Sequence, residues 1–533
     1  MLPEDKYFQT LTEAELWQRY CGFLDLSINE FMEIQKELLM DEIEQVADST
    51  LGKKIMGNRK PKTVEEFRHT VPLTTYDDYE PYLSERREDA LAVKPYFWCH
   101  SAGRGGRFKW FPHTSEFLEK TNRNFLASWI LASSKRKGEV NVAPELRVLA
   151  TLPPPPYASG AGFQFFAQHF SCQTIPPPEM VEHMELRERM QKGFDIALRD
   201  GVDILTAISS VLVRMGEGFS ERTRSKKFSL SMLHPKIVFR LLRAMILSKR
   251  AKRPILPKDL WSPKGIVCGG MDTNIYKHDI AHYWGREPFD FYVSTETMFV
   301  AMQAWNKKAM TFLPDIVFLE FIPHDKRLKH QDNKDYQPST VLLNEVEEGK
   351  LYEVIITQFH GLPLLRYRLD DVIKIVCLRD EETGVNVPQI LIQGKVGATI
   401  DLAGLADLDE KTIWQAIANT GIKYTDWSAC KEYDQNQTYL RLYLELKEEK
   451  EAAEMATMID EQLKIVDTDY KDIDTYLKLQ PVRVTLLSPG TFQRYMEEKG
   501  KEGADLAHLK PTHINAPEAV IQRLLQLSEV TKE

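Results

Sequence analysis

Apolar residues follow two rhythms along this 533-residue chain. Over roughly the first 50 residues they recur at three- and four-residue spacing, and Ile28, Phe31, Ile34, Leu38 and Leu39 share one helical face. Thr12-Glu13-Ala14-Glu15 and Ser27-Ile28-Asn29-Glu30 each set a hydroxyl three residues ahead of a glutamate, the capping-box pattern that opens a helix. Val71-Pro72-Leu73-Thr74-Thr75-Tyr76 predicts a short strand and turn leading to Tyr82. From Tyr96 onward, strand-like runs at 146–152, 266–268, 289–293, 316–321, 351–357 and 373–378 alternate with helical stretches. Alternation of this kind predicts an α/β architecture.

Two proline runs, 153–156 and 176–178, bracket Tyr157-Ala158-Ser159-Gly160-Ala161-Gly162-Phe163. A rigid lead into small residues, with apolar residues resuming at once, predicts a loop over a pocket rather than a linker. Tyr157, Ser159 and Phe163, with Phe165 and Phe166, are the candidate lining of that pocket. The composition shifts after Gly394-Lys395-Val396-Gly397. Beyond it come an amphipathic helix (412–418), an alternating strand (Tyr439, Leu440, Leu442, Leu444, Leu446) and a charged helix (448–466). The chain exceeds the size at which a single core keeps growing. The expectation is a large multilayer α/β N-terminal domain over 1–395, a hinge near 393–403 and a small, mobile α+β C-terminal domain over 396–533.

Composition narrows the function classes. With 43% hydrophobic residues the chain can bury a large core, and its formal charge of −9 argues against a nucleic-acid binder, which needs clustered Lys and Arg. The basic run 248–253 follows an apolar run and reads as a solvated helix end. Six cysteines without paired spacing suit reduced thiols in a cytoplasmic protein. The first residues lack a basic stretch followed by an apolar one, and no run of 18 apolar residues occurs. Neither a signal peptide nor a membrane partner is expected, and the chain is expected to be a monomer.

Four segments hold candidate chemistry. His100-Ser101-Ala102-Gly103-Arg104-Gly105-Gly106-Arg107-Phe108-Lys109 is glycine-rich and ends basic, ahead of a helix capped by Thr114 or Ser115. Its backbone N–H groups can cradle an anion, although it is neither a Walker loop nor a strand-led G-x-G-x-x-G. His278 and His282 stand at i and i+4 without an obvious third ligand, so surface or packing histidines are the simpler reading. Phe291-Tyr292-Val293-Ser294-Thr295-Glu296 is a strand-like run ending in hydroxyls and one carboxylate. Tyr367-Arg368-Leu369-Asp370-Asp371-Val372 sets a Tyr-Arg pair before two carboxylates. An aromatic face, hydroxyl donors, an acid for a metal and an acid for a sugar diol are what a nucleotide site needs.

The order of these segments, followed by a hinge and a small domain, resembles the adenylate-forming ligases. Within them it is most similar to the acyl acid amido synthetases of the auxin-responsive Gretchen Hagen family and its bacterial relatives. Leu260-Trp261-Ser262-Pro263, Leu319-Glu320-Phe321-Ile322-Pro323, Gly349-Lys350-Leu351-Tyr352-Glu353-Val354, Pro489-Gly490-Thr491-Phe492 and His508-Leu509-Lys510-Pro511 extend the resemblance over nearly the whole chain. It implies an ATP- and Mg²⁺-dependent ligase that converts a small carboxylic acid to its acyl-adenylate and transfers the acyl group to an amine, in particular an amino acid. Transfer to a thiol such as coenzyme A, and a degenerate nucleotide or acyl-ligand binder, are the alternatives.

The resemblance also implies roles. Ser101, Gly103, Arg104, Gly106 and Lys109 fall on the phosphate loop. Tyr292 stacks on adenine, Thr295 meets the α-phosphate, Glu296 holds Mg²⁺, and Asp371 accepts the ribose hydroxyls with Arg368 beside it. Lys510 reaches the α-phosphate when the small domain closes. The chain departs from the family pattern at Arg104 and Gly105, where hydroxyl residues are usual, and at Val293 and Asp370, where glycine is usual. A side chain at a glycine position restricts the backbone.

Overall fold

The first helices begin where the hydroxyl–glutamate pairs stand. Ser27 accepts the N–H of Glu30 while the Glu30 carboxylate accepts the N–H of Ser27, and Thr12 and Glu15 repeat the exchange. The helix Ile28–Val46 then buries Phe31, Leu39, Ile43 and Val46, together with Gln35 and Glu42. Gln35 donates to the carbonyls of Pro314 and Val317 and accepts from the N–H of Leu319, which pins this helix to a strand far along the chain.

A computed structural model describes residues 1–529 apart from 101–108, 151, 153–154, 178–179, 181–183, 185, 225–234, 270–272, 333–335, 396–398, 403–405, 435–436, 468–469, 472–479 and 502–511. The chain forms two compact units, Met1–Ile392 and Gln393–Glu533. In the first, strands β1 (Phe97–His100) and β2 (Trp110–His113) make an antiparallel hairpin. The main sheet, eleven-stranded among the described residues, comprises β3 (Leu146–Ala150), β4 (Cys172–Ile175), β5 (Ile204–Ile208), β6 (Gly265–Gly269), β7 (Phe289–Ser294), β8 (Met298–Gln303), β9 (Met310–Phe312), β10 (Val317–Pro323), β11 (Leu351–Gln358), β12 (Tyr367–Cys377) and β13 (Gln389–Lys395). Its order is β10-β11-β12-β13-β9-β8-β7-β6-β5-β3-β4. Strands β7, β6, β5, β3 and β4 pair in parallel, as a strand–helix alternation requires. From β7 through β8 and β9, and from β10 through β12, neighbours are antiparallel.

In the second unit β14 (Thr399–Leu402) and β15 (Ala406–Asp409) form a ribbon, and β16 (Tyr424–Asp434), β17 (Gln437–Leu446) and β18 (Val482–Leu487) form a sheet. The helix Ala452–Val466 lies in the crossover that lets β17 and β18 run parallel. It starts at Ala452 rather than at residue 448, where the sequence predicts it, because 447–450 leave β17 as irregular backbone. The core of this unit includes Leu440, Leu442, Leu444, Met455 and Trp427. No helix among the described residues is long and apolar enough to cross a membrane.

Two buried carboxyls and a half-buried histidine make stability pH-dependent. Burial pushes the carboxyls of Glu42 and Asp290 each up to about 8. Burial alone would lower His513, but hydrogen bonds to Asp426 and Glu410 raise it to about 9. Each group holds a proton in the folded state at a pH where the unfolded chain has released it. Their stabilisation is therefore complete at low pH and is lost as pH rises through about 8 for the acids and about 9 for the histidine. The thermal midpoint of the first unit, which holds Glu42 and Asp290, is expected to fall between roughly pH 5 and pH 8, and Glu42→Gln should flatten that fall. A slope identical in Glu42→Gln would assign the effect elsewhere.

Candidate active site

Strand β12 enters the site under tension. Arg366, just before it, and Asp370, within it, adopt left-handed φ values of 47° and 60°. Arg366 is anchored by a buried fork: Nε and Nη2 donate to Glu320 at 2.9 and 2.8 Å, and Nη1 donates to the carbonyls of Arg68 and Val71 at 2.6 Å. The segment predicted as a short strand near residue 74 forms a single bridge, with Thr74 exchanging backbone hydrogen bonds with Arg366 and Arg368 around Tyr367. These contacts hold Tyr367–Asp371 in place.

Asp370 stands where the family resemblance has glycine, and its φ is the one glycine favours. Aspartate is among the few side chains that tolerate it, and the exposed carboxylate adds no burial cost. Asp370→Gly is expected to be neutral or to stabilise by up to about 1 kcal/mol, and Asp370→Val to destabilise by roughly 1–3 kcal/mol. Chemical denaturation checks both; equal effects would remove the conformational explanation.

The next residue, Asp371, is buried, and Tyr292 of β7 donates its hydroxyl to Asp371 Oδ2 at 2.6 Å. Their strands are separated by β8, β9 and β13 in the sheet order, which in a flat sheet means roughly 19 Å. The sheet therefore curls strongly here, and two segments 79 residues apart in sequence meet. Burial and the adjacent Asp371 carboxylate push the Tyr292 phenol well above its ordinary range, so it stays a donor. Tyr292 is only 2% exposed. The ring, expected to stack on adenine, is buried here, and its hydroxyl meets Asp371.

Thr295 and Glu296 lie in the turn between β7 and β8, both half-buried. His113 Nε2 meets the Thr295 carbonyl at 3.1 Å. Burial lowers His113 to about 3, so the ring is neutral and Nε2 carries the donated proton. Gln358, at the end of β11, donates to the Glu296 carbonyl and accepts from Leu364 N–H. The turn is thus held from two sides by buried side chains that sequence reasoning missed. His113 sits among aromatics and Gln358 ends an apolar run, so neither carries a polar signature. Burial first, and then the Glu296 charge, raise the phenol of Tyr367, which packs against Tyr79 and Phe111.

Other expected positions divide. Lys109 is exposed at the foot of β2, with Nζ 5.4 Å from the centre of the Tyr76 ring. Ser101, Gly103, Arg104, Gly106 and Lys510 lie outside the described residues. Arg368, expected beside the nucleotide, donates from Nε and Nη2 to Glu353 at 2.7 and 2.8 Å within the sheet. Tyr157 bridges to His100 and packs edge-on against its ring at 4.7 Å, and Ser159 lies half-buried in the helix Ala158–Ala167. Phe163, expected in the pocket lining, is buried among Phe125, Trp129 and Phe166.

Three models of one family match the chain in order: the GH3 family N-terminal domain over residues 22–150, the central domain over 310–391 and the C-terminal domain over 410–518. A jasmonoyl–L-amino acid synthetase, GH3.5 of Oryza sativa subsp. japonica, is 23% identical over 49% of this chain, and the match spans 47% of that protein, about half its length. The indole-3-acetic acid-amido synthetase GH3.17 of Arabidopsis thaliana is 22% identical over 90% of both chains. The AtGH3.15 acyl acid amido synthetase in complex with 2,4-DB superposes with a TM-score of 0.68, at 18% identity over 97% of each chain. A 2-hydroxyisobutyryl-CoA ligase in the postadenylation state gives 0.59, at 12% identity over 98% of this chain and 94% of that one. The likeness to these structures shows that the fold is that of adenylate-forming ligases.

Proposed function

The chain belongs to the GH3 family, and from that premise we propose that it activates a small carboxylic acid with ATP and conjugates the acyl group to an amino acid. The acid's carboxylate oxygen attacks the α-phosphorus, and the bond to pyrophosphate breaks. The amine nitrogen then attacks the acyl carbon of the adenylate, loses a proton and expels AMP. The observation that carries this reading is the Tyr292–Asp371 hydrogen bond, which joins two nucleotide-site segments in the fold the relatives share. Asp371 is the acceptor for the ribose hydroxyls, since a carboxylate accepts several hydrogen bonds and Tyr292 uses one of them.

Carboxylate attack on a phosphoryl group is repulsive until charge is neutralised. Lys109 contributes a cation from the end of the glycine-rich loop. Glu296 is a hard oxygen donor that suits Mg²⁺ and would hold it, and the Thr295 hydroxyl on the same turn meets the α-phosphate. The bound ion would neutralise phosphate charge. Gln358 and His113 keep that turn in place.

Acid-dependent pyrophosphate release from ATP tests the activation step, and mass analysis after adding amino acids or coenzyme A identifies the acceptor. Amide product supports this reading, thioester replaces the acceptor, and no acid-dependent release leaves a binding protein. A lysine used only as the site closes acts on the transition state rather than on resting ATP affinity. Lys510→Ala is therefore expected to slow pyrophosphate release by a factor on the order of 10² while calorimetric ATP binding stays near wild type. Normal turnover would remove Lys510 from the mechanism.

A further inference from the structure

The helix Pro235–Ala251 packs inward through Ile237, Leu241 and Ala244. Its other side is apolar as well, and it is open to solvent. Val238, Phe239, Leu242, Met245 and Ile246 are all exposed, Phe239 at 71% and Ile246 at 54%. At 100° per residue these five positions span about 120° of the helix, a continuous stripe and not scattered side chains. Reading the basic run at 248–253 as a solvated helix end accounts for its charges and leaves this stripe unexplained.

Charge says what covers it. Between residues 235 and 253 there is no Asp or Glu, in a chain whose net charge is −9. Arg240 turns inward to the carbonyl of Leu198, and Arg253 pairs with Asp259. Arg243, Lys249 and Arg250 are exposed and make no ion pair among the described residues. Arg243 and Arg250 border one side of the stripe and Lys249 lies near its C-terminal end. An apolar stripe edged by unpaired cations is the pattern of a helix lying in the plane of a bilayer surface, with apolar side chains among the acyl chains and cations at the headgroups. A second copy fits poorly, since pairing two such faces brings their basic borders together.

We propose that this helix docks the enzyme on anionic lipid bilayers, with Phe239, Leu242 and Ile246 inserted and Arg243, Lys249 and Arg250 facing phosphate headgroups. The attachment is peripheral and reversible, and it does not depend on the reaction catalysed. A flotation assay tests it with the full-length protein and vesicles of phosphatidylcholine, alone or mixed with phosphatidylglycerol. Binding is expected only to the mixed vesicles and should weaken as salt is raised. Arg243→Glu/Arg250→Glu should cut partitioning by at least about thirtyfold, and Phe239→Ser/Ile246→Ser should abolish it. Thermal midpoints should stay near wild type, because the replaced side chains are exposed. Absence of binding to the mixed vesicles, or equal binding to both kinds, overturns the proposal. So does concentration-dependent self-association in sedimentation velocity that Phe239→Ser/Ile246→Ser removes, which would make the stripe an interface between copies.

Discussion

Asp371→Ala is expected to remove measurable ATP binding while leaving the fold intact. Two ribose hydroxyls donating to an ionised carboxylate contribute about 1.5–3 kcal/mol each, so their joint loss weakens affinity by roughly 10²- to 10⁴-fold. The variant also leaves the Tyr292 hydroxyl buried without its acceptor, which costs some stability. Tyr292→Phe separates the two effects. It keeps the ring and the carboxylate but frees Asp371 to turn, so ATP affinity should fall by far less than in Asp371→Ala. Calorimetric titration with ATP reads both variants. Unchanged affinity in Asp371→Ala would remove the ribose assignment, and equal losses in the two variants would mean that the hydrogen bond matters only for folding.

Arg366→Ala is the substitution expected to cost the most stability, about 3–5 kcal/mol, because it leaves a buried carboxylate only the Thr340 hydroxyl and Arg68 at 3.6 Å. Glu320 is 1% exposed and is paired with Arg366 through two hydrogen bonds. The same guanidinium ties the backbone of Arg68 and Val71 to the start of β12, so its loss also loosens the strand that carries Asp371. Arg366→Ala/Glu320→Ala should be less destabilised than the sum of the single variants, since no lone charge then remains buried. Strict additivity in urea unfolding would indicate that the pair is not energetically coupled.

The sequence showed best what periodicity and caps encode. The N-terminal capping boxes and the strands β3, β6, β7, β10, β11 and β12 stand where the apolar runs are, because each run is bounded by polar or turn residues. Strands β8 and β9 escaped notice for a physical reason. Met298–Gln303 is buried at every position, so it lacks the alternation that marks a half-buried strand, and Met310–Phe312 is only three residues long. Asp371, Thr295 and Glu296 stand out as candidates because carboxylates and hydroxyls beside strand runs are rare enough to notice. The partners that Tyr292, Arg368 and Phe163 meet do not show in the sequence. Whether an aromatic ring faces a ligand or the core, and whether an arginine is paired across a sheet, depends on neighbours distant in sequence. Tyr292 needed the curl of the sheet to meet Asp371, and Arg368 needed the register of β12 on β11 to meet Glu353.

In the proposed reaction the acid passes through an acyl-adenylate on its way to an amide. If its carboxylate attacks the α-phosphorus, one of its oxygens stays with AMP when the amine later takes the acyl carbon. Turnover of an acid substrate whose carboxylate carries heavy oxygen, followed by mass analysis of the nucleotide product, tests this directly. The expected products are AMP bearing one heavy oxygen in its phosphate and an amide that retains the other. Unlabelled AMP, or label recovered in inorganic phosphate beside ADP, would contradict it.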